Sequence, residues 1–348
     1  MTRPTLRQHR GAEFTAILGV GDHRPEHVVT NEDICATIDS TPEWIYERSG
    51  IRTRRVAGPE ETVVAMSASA GRAALEAAGI EAGRIDLVLV ATITHPWQTP
   101  AAGPMVAHAI GADGAAAYDL GAACAGFCYA LGVADDAIRA GSAEYALVIG
   151  VEKFSDFRDP YDRSTAFIFG DGAAAAVVGP ADAPGISATV SGADGSGAMQ
   201  IAQTRDWSAV RRDWQEMERT KDLPVELFPF PSIGMEGPSV FRWATTHMGP
   251  VADQILTAAG VTAHDLDVFV PHQANIRIID AMVKRMKLPE HVVVARDDIA
   301  DMANTSAASV PLALTRLVRE GQAKSGDLAL LMGFGAGLAW AGQVVVVP

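Results

Sequence analysis

The sequence predicts an α/β fold made of two duplicated halves. Apolar strands alternate with helices along most of the 348 residues, a pattern typical of mostly parallel sheets. Two stretches of the first half recur in the second. The run from Leu75 resembles the run from Leu256, and Ala146–Gly150 resembles Ala329–Gly333, at offsets of 181 and 183. We therefore expect the halves to pair about a pseudo-twofold axis, with equivalent helix N-termini facing each other.

Apolar periodicity places the individual elements. Continuous apolar runs indicate buried strands, whereas apolar residues at intervals of three and four indicate helices, several of which end at a glycine. Strands are predicted at residues 14–20, 85–93, 115–120, 145–150, 268–270, 292–294, 328–332 and 338–347. Helices are predicted at residues 32–38, 42–49, 62–78, 99–110, 124–140, 240–259, 276–286 and 305–318. Asn31 is predicted to cap the first helix, and residues 167–178 to form two short edge strands around a Gly-Asp-Gly turn.

The two halves are predicted to divide near a Pro-rich linker that ends at residue 184. We place a mobile N-terminal arm at residues 1–12, the first half at 13–184 and the second half at 185–348. Within the second half, residues 191–236 show little periodicity and are predicted to be an irregular loop region.

Composition and charge exclude several classes of protein. A hydrophobic fraction of 48% is typical of a globular protein with a large core, and a net charge of −14 argues against nucleic acid as a partner. No apolar run approaches the roughly 18 residues of a membrane span, and the N-terminus lacks an apolar leader. We therefore expect a cytoplasmic protein without a membrane partner. Cys35, Cys124 and Cys128 form no metal-binding pattern, so no metal site is expected.

Cys124 is the first candidate for a reactive group. It stands where a strand ending at Leu120 leads into a helix, and unpaired N–H groups at a helix start stabilise a thiolate and lower the thiol pKa. Small residues on both sides would let a substrate approach the sulfur. The alternative is a buried structural cysteine, which is the role predicted for Cys35 and Cys128.

Polar candidates in the second half also follow strand ends. His272 lies in the loop after a strand, Asn304 opens a helix, and Gly333–Gly337 forms a Gly-rich turn that could present an N–H group to an oxyanion. Asn304 could instead be a simple N-cap, and the glycines a simple tight turn. At an offset of 180, Asn304 is the counterpart of Cys124. Together these groups predict a thiol-based acyl-transfer site.

Several motifs give the sequence a specific resemblance from about residue 14 to the C-terminus. They are Glu43–Ile45 with Arg48 and Gly50–Arg52, Ala122–Phe127, Asp162–Arg163 with Phe169–Gly172, Pro271–Asn275, and Asn304–Pro311. With these motifs the chain resembles the β-ketoacyl-acyl-carrier-protein synthase III family of thiolase-fold condensing enzymes. The resemblance implies a thiolase-like fold, in which two duplicated α/β halves form α-β-α-β-α layers about a pseudo-twofold axis.

The resemblance also implies roles for individual residues. Cys124 would be the acyl-accepting nucleophile, with His272 and Asn304 completing the catalytic set. The N–H groups of Cys124 and Gly335 would form the oxyanion hole. The coenzyme A site would comprise Trp44, Arg48, nearby Arg163, and Asn275 along the pantetheine tunnel. Thr99 would lie in the acyl pocket, reached across a homodimer interface, where a small residue leaves room for a longer or branched primer. Ala303 and Ala175 depart from the family pattern, which commonly has glycine there.

The implied activity is condensation of an acyl-CoA primer with malonyl-acyl carrier protein, with decarboxylation, to give a 3-oxoacyl product. This reaction would initiate fatty acid or polyketide chains and would need no metal or redox cofactor, because the coenzyme A thioester is a substrate. An acyltransferase that forms an ester or amide is the nearest alternative. A cysteine hydrolase is a more distant one.

A local excess of positive charge predicts where the carrier protein docks. The helix after His272 carries four cations, Arg277, Lys284, Arg285 and Lys287, against the single acid Asp280. In a chain of net charge −14 this basic face could steer an acidic carrier protein to the site. The alternative is an ordinary solvated helix face.

Overall fold

Within residues 9–220 and 231–348, which the computed structural model describes, the strands form two five-stranded and two two-stranded sheets. The strands are β1 (Phe14–His23), β2 (Val28–Thr30), β3 (Thr53–Arg55), β4 (Leu87–Ala91), β5 (Ala116–Leu120), β6 (Ala146–Glu152), β7 (Gly172–Ala181), β8 (Val190–Ala193), β9 (Ile201–Gln203), β10 (Ile233–Met235), β11 (Val268–Pro271), β12 (Val293–Val294), β13 (Leu328–Gly335) and β14 (Ala339–Val346). The helices are α1 (Asn31–Cys35), α2 (Pro42–Ser49), α3 (Val63–Ala78), α4 (Ala102–Ile110), α5 (Gly126–Ala140), α6 (Trp207–Thr220), α7 (Gly237–Ala259), α8 (Ile276–Met286), α9 (Asp298–Met302) and α10 (Ser309–Arg319).

The two large sheets have equivalent topologies. The first has the strand order β1-β7-β6-β4-β5, and the second has the order β12-β11-β13-β14-β8. In each, parallel strands adjoin an antiparallel pair: β4 is parallel to β5 and β6, and β11 is parallel to β12 and β13. This equivalence confirms the prediction of two duplicated α/β halves.

Hydrophobic clusters define five layers. α5 and α10 pack between the two sheets, α3 and α4 cover the outer face of the first sheet, and α7 and α8 cover the outer face of the second. Because helices cover both faces, the strand Leu87–Ala91 is apolar and buried throughout. The α-β-α-β-α arrangement predicted for the chain is confirmed.

The two central helices begin in the same unusual way. A 3₁₀ turn, Ala123–Ala125, precedes α5, and another, Ser306–Ala308, precedes α10. The first residue of each turn has a positive φ, 44° at Ala123 and 47° at Ser306. These positions differ by 183 residues, so the counterpart of Cys124 is Ala307. The sequence aligned Cys124 with Asn304, three residues too early. An alignment of the two helices that is shifted by three residues, nearly one helical turn, still superimposes their apolar faces, so the sequence pattern did not reveal the error.

Several local predictions were wrong. Residues 172–181 form one strand, β7, which pairs with β1 and β6 and is therefore not a sheet edge. The cap of α1 is Thr30, whereas Asn31 is buried and donates from Nδ2 to the Ile51 carbonyl at 2.8 Å. Asn31 Oδ1 accepts a hydrogen bond from the fully buried Arg54, so the side chain serves the core and not the helix end.

Residues 191–236 are more regular than the sequence predicted. They contain the end of β8, a 3₁₀ turn, β9, α6 and β10, and residues 221–230 lie outside the described part of the chain. α6 was missed because its apolar positions are few among many charged ones.

At the N-terminus, residues 1–8 of the predicted arm also lie outside the described part of the chain, and the Gly11 N–H donates to the Arg139 carbonyl at 3.1 Å. None of the described helices is long and apolar enough to cross a membrane.

Candidate active site

A cavity of about 580 Å³ brings together the residues predicted from both halves. Cys124, His272 and Asn304 lie at its buried end, where each is less than a tenth exposed. Trp44, Arg48, Arg163 and Asn275 line the same cavity toward solvent, and residues 201, 235–238, 240, 241, 243 and 244 of the second half line another wall. The predicted catalytic and coenzyme A groups therefore share one cavity.

Cys124 sits in the first of the two 3₁₀ turns, with its sulfur against the end of β13. A Cβ atom added to Gly335 would lie 2.7 Å from the Cys124 sulfur, so only glycine permits this approach. Burial raises the pKa of the thiol to about 11, although a nearby hydroxyl, that of Ser306, and two backbone N–H groups act in the opposite direction. The prediction that a helix start would lower this pKa is wrong, because desolvation outweighs the N–H groups.

The two N–H groups that interact with the sulfur belong to Cys124 and Ala336. The second donor therefore lies one residue after the predicted Gly335. Gly335 is the last residue of β13 and pairs with Ala339, whereas Ala336 is the first residue beyond the strand. Gly335 therefore allows the Cys124 sulfur to approach the end of β13 closely, and Ala336 supplies the N–H group beside the sulfur.

His272 is held as a neutral hydrogen-bond donor. Its Nδ1 lies 2.6 Å from the Ser309 hydroxyl oxygen, which also accepts from the Gln273 N–H at 3.4 Å. The hydroxyl proton is then free to point at Nδ1, so we assign the ring proton to Nε2. Complete burial lowers the imidazole pKa to about 3, and the ring packs edge-on against Phe334 at 5.4 Å. The side chain is thus uncharged at neutral pH.

Asn304 is oriented by its own turn. Its Oδ1 accepts from the Ser306 N–H at 2.8 Å, which leaves the amide NH₂ group as a donor to the cavity. Its backbone bridges to the first half, because the Asn304 N–H donates to the Ile168 carbonyl at 2.9 Å. The preceding Ala303 has a φ of 58° and a ψ of −156°, a conformation that favours glycine.

The solvent end of the cavity carries an aromatic ring between cations. The Arg163 guanidinium lies 4.8 Å from the Trp44 ring centre, and that of Arg48 lies 6.0 Å away. Asn275 caps α8 and donates from Nδ2 to the Arg48 carbonyl at 2.8 Å, which ties α8 to the end of α2.

Thr99 is exposed and is not among the residues that line the cavity of this chain. Its predicted place in an acyl pocket stays a prediction.

The four cations predicted for docking, three in α8 and Lys287 directly after it, are exposed, as a docking face requires. Arg277, Lys284, Arg285 and Lys287 all face solvent, and Asp280 pairs with Arg296 at 3.4 Å. Arg277 also lines the cavity and lies 5.0 Å from the Phe241 ring centre, so the basic face adjoins the mouth of the site.

Sequence reasoning missed four residues of the site. Ser309, Ala336 and Ser306 carry no signal beyond their places in polar or Gly-rich turns. Glu152 does carry a signal, since an acid ends the otherwise apolar strand β6 and is fully buried there. Cys128 is buried in the core as predicted, and Cys35 is only partly buried.

Comparisons with known proteins place the chain among condensing enzymes. Residues 118–195 match a family profile described as 3-oxoacyl-[acyl-carrier-protein] synthase III, and residues 256–347 match the profile of its C-terminal part. A β-ketoacyl-[acyl-carrier-protein] synthase III of Streptomyces coelicolor is 54% identical over 346 residues, covering 99% of both chains. The crystal structure of the priming β-ketosynthase of the R1128 polyketide pathway is 48% identical, with a TM-score of 0.91 over 99% of both chains. The synthase III of Aquifex aeolicus is 36% identical, with a TM-score of 0.84 over 95% of this chain and 99% of that one.

We predict that Gly335→Ala slows the reaction of Cys124 with iodoacetamide by about 10²-fold, since displacing a reacting group by about 1 Å can cost that much. The new methyl group would overlap the sulfur. Gly121→Ala is the matched control, because a Cβ at Gly121 meets nothing within 4 Å. The mass added per unit time at Cys124 gives the rate. Equal rates in the two variants would contradict the close approach.

We predict that the free energy of unfolding decreases as the pH falls from about 6.5 toward 3, through His272. The unfolded imidazole binds a proton near pH 6.5, whereas the buried one stays neutral to about pH 3. Stability is therefore lost across this window, by up to about 1.4 kcal/mol per pH unit. Urea unfolding of the wild type and of His272→Gln between about pH 7 and pH 4 isolates this contribution as their difference. A difference that does not change with pH would contradict the prediction.

Proposed function

The chain belongs to the 3-oxoacyl-[acyl-carrier-protein] synthase III family, and from this we propose that it condenses an acyl-CoA primer with malonyl-acyl carrier protein. The products are carbon dioxide and a 3-oxoacyl-acyl carrier protein. The observation that carries the proposal is the convergence of the Cys124 thiol and the neutral donors of His272 and Asn304 in one buried cavity.

In the first half-reaction, the Cys124 sulfur attacks the acyl-CoA thioester. The carbonyl oxygen becomes an oxyanion, which the N–H groups of Cys124 and Ala336 can receive because they already face the sulfur. Preorganised donors of this kind each stabilise the transition state by about 3–4 kcal/mol. Coenzyme A leaves, and the acyl group remains on Cys124.

In the second half-reaction, loss of carbon dioxide from the malonyl thioester leaves an enolate. Its oxygen needs donors that do not protonate it, and Nε2–H of His272 and the Asn304 amide meet this need. The imidazole pKa of about 3 suits a donor and not a base, which argues against the cysteine hydrolase alternative. The enolate carbon then attacks the Cys124 thioester. Each step uses groups of this chain and its thioester substrates, so we propose that no cofactor is needed.

The solvent end of the cavity supports coenzyme A as the leaving group. Trp44 offers a flat surface on which an adenine ring can stack, and Arg48 and Arg163 beside it offer positive charge for phosphates. The priming role of the R1128 relative makes polyketide initiation as well supported as fatty acid initiation.

We further propose a cytoplasmic homodimer that pairs near Thr99. β5 is one of the two edge strands of the first sheet, and three large apolar side chains near it are exposed, namely Trp97, Met105 and Tyr118. An exposed edge strand with an apolar surround is typical of an interface. If analytical sedimentation gives the mass of a single chain, this result would contradict the homodimer.

The proposed reaction is tested by incubating the protein with a panel of acyl-CoAs and measuring the mass of the intact chain. We expect one acyl group on Cys124, none on Cys124→Ala, and removal of the adduct by malonyl-acyl carrier protein with release of carbon dioxide and a 3-oxoacyl product. Removal of the adduct by an added alcohol or amine, without carbon dioxide, would instead indicate transfer to form an ester or amide. Release of free acid by water alone would indicate hydrolysis.

For carrier-protein docking, we predict that reversing two cations of the basic face, Arg277→Glu with Lys284→Glu, raises KM for malonyl-acyl carrier protein about tenfold while kcat stays unchanged. Steering charges act on encounter and not on chemistry, and their effect weakens as salt increases. The matched control reverses two exposed cations elsewhere, Arg72 and Lys324. An equal change in KM for both double variants would contradict docking on α8.

A further inference from the structure

Glu152 is a buried acid for which the proposed mechanism has no role. It ends β6 and is fully buried. Its Oε2 accepts from the Thr94 hydroxyl at 2.7 Å, the Ile93 N–H at 3.1 Å and the Thr92 hydroxyl at 3.3 Å. Its Oε1 has no hydrogen-bond partner among the described residues. A buried carboxylate oxygen without a donor is costly, so this arrangement calls for a functional explanation.

The Ser306 hydroxyl lies beside both Glu152 and the Cys124 thiol. It lowers the pKa of each of these groups, yet it is buried and makes no fully formed hydrogen bond to a described residue. The turn that carries it is pressed against β6, because a Cβ added to Gly150 would lie 2.2 Å from the Ala307 carbonyl oxygen. A hydroxyl between an acid and a thiol can accept a proton from one and donate a proton to the other.

The other groups near Cys124 are poorly suited to accept its proton. Nδ1 of His272 is occupied by Ser309, and the imidazole pKa is about 3. Lys153, the cation next to Glu152 in the chain, directs its Nζ away, to the Gly58 carbonyl at 2.9 Å and to Asp156 at 3.5 Å. Glu152 therefore faces the thiol through a hydroxyl and without a neutralising cation among the described residues.

We propose that Glu152, acting through the Ser306 hydroxyl, accepts the proton of the Cys124 thiol during acyl transfer and returns it when the condensed product leaves. This inference rests on the proposed function for its acyl-transfer step. Ser306 passes the thiol proton to Oε1, and the thiolate attacks the thioester. The departing coenzyme A thiolate takes a proton from water. The later condensation expels the Cys124 thiolate, which recovers its proton from Glu152, so one solvent proton is consumed per turnover.

The electrostatics fit this role. Burial raises the pKa of Glu152 to about 7, so the acid can both bind and release a proton near neutral pH. Burial and, to a smaller extent, the charge of Glu152 raise the thiol pKa to about 11, so Cys124 keeps its proton until a substrate arrives. The groups that face Glu152 from the loop after β4 are uncharged, and the turn before α10 contributes only a hydroxyl.

Glu152→Gln tests the relay with iodoacetamide, which needs no acyl-CoA. The glutamine oxygen can occupy the place of Oε2 with its three donors, so chiefly Oε1 is changed. We expect Cys124 alkylation in the wild type to rise with pH through an inflection near 7, and the variant to lose this inflection and react about 10²-fold more slowly near pH 8. If Glu152 acted only as a nearby negative charge, its removal would favour the thiolate. A faster or unchanged rate in Glu152→Gln would therefore overturn the proposal.

Ser306→Ala provides the second arm, and Ser67→Ala is its matched control, because the Ser67 hydroxyl is also buried without a hydrogen-bond partner among the described residues. We expect Ser306→Ala to lose the inflection and Ser67→Ala to keep it. The double variant of Glu152 and Ser306 should react no more slowly than either single variant, since both interrupt one path. Additive losses would overturn the relay. If no acyl-CoA modifies the wild-type chain, the proposed function fails, and the alkylation profiles still decide the relay.

Discussion

The contact between the two 3₁₀ turns is the constraint on which the rest of the structure depends. Ala123–Ala125 and Ser306–Ala308 meet between the sheets, where a Cβ added to Gly126 would lie 3.7 Å from the Ala307 side chain. Each turn begins with a residue other than glycine in a left-handed conformation, which costs free energy and persists only where the surrounding structure maintains it. The sheets provide that support on both sides, and the two turns hold Cys124 and Asn304 in place.

Desolvation sets the chemistry of the site. The same burial raises the pKa of the Cys124 thiol and lowers that of the His272 imidazole, so both groups are neutral at rest. A neutral imidazole is a suitable donor for an enolate, but the thiol then requires help to ionise. In the proposed mechanism, burial therefore favours the second half-reaction, which needs uncharged donors, and disfavours the first, which needs a thiolate.

Much of this could be predicted from the sequence, for identifiable reasons. The long apolar runs placed the strands, and α8 was predicted without error because its apolar and cationic positions alternate clearly. Cys124 and His272 were selected because each follows a strand, and Asn304 because it opens a helix; the structure brings all three to one cavity. The second N–H group beside the sulfur belongs to Ala336, one residue after the predicted Gly335, since a Gly-rich turn does not reveal which N–H points inward. The thiol pKa was predicted in the wrong direction, because the depth of burial depends on residues of the other half.

The two duplicated halves contribute different residues to the site, and this difference determines when the site is assembled during synthesis of the chain. The thiol and Glu152 come from the first half, whereas His272, Asn304, Ser306 and Ala336 come from the second. Ala307 stands at the position equivalent to Cys124. During synthesis, the first half leaves the ribosome before the second, so its thiol then lacks the N–H group of Ala336 and the cover of the second half. The cavity that brings Cys124 together with His272 and Asn304 is therefore complete only when the second half has folded against the first.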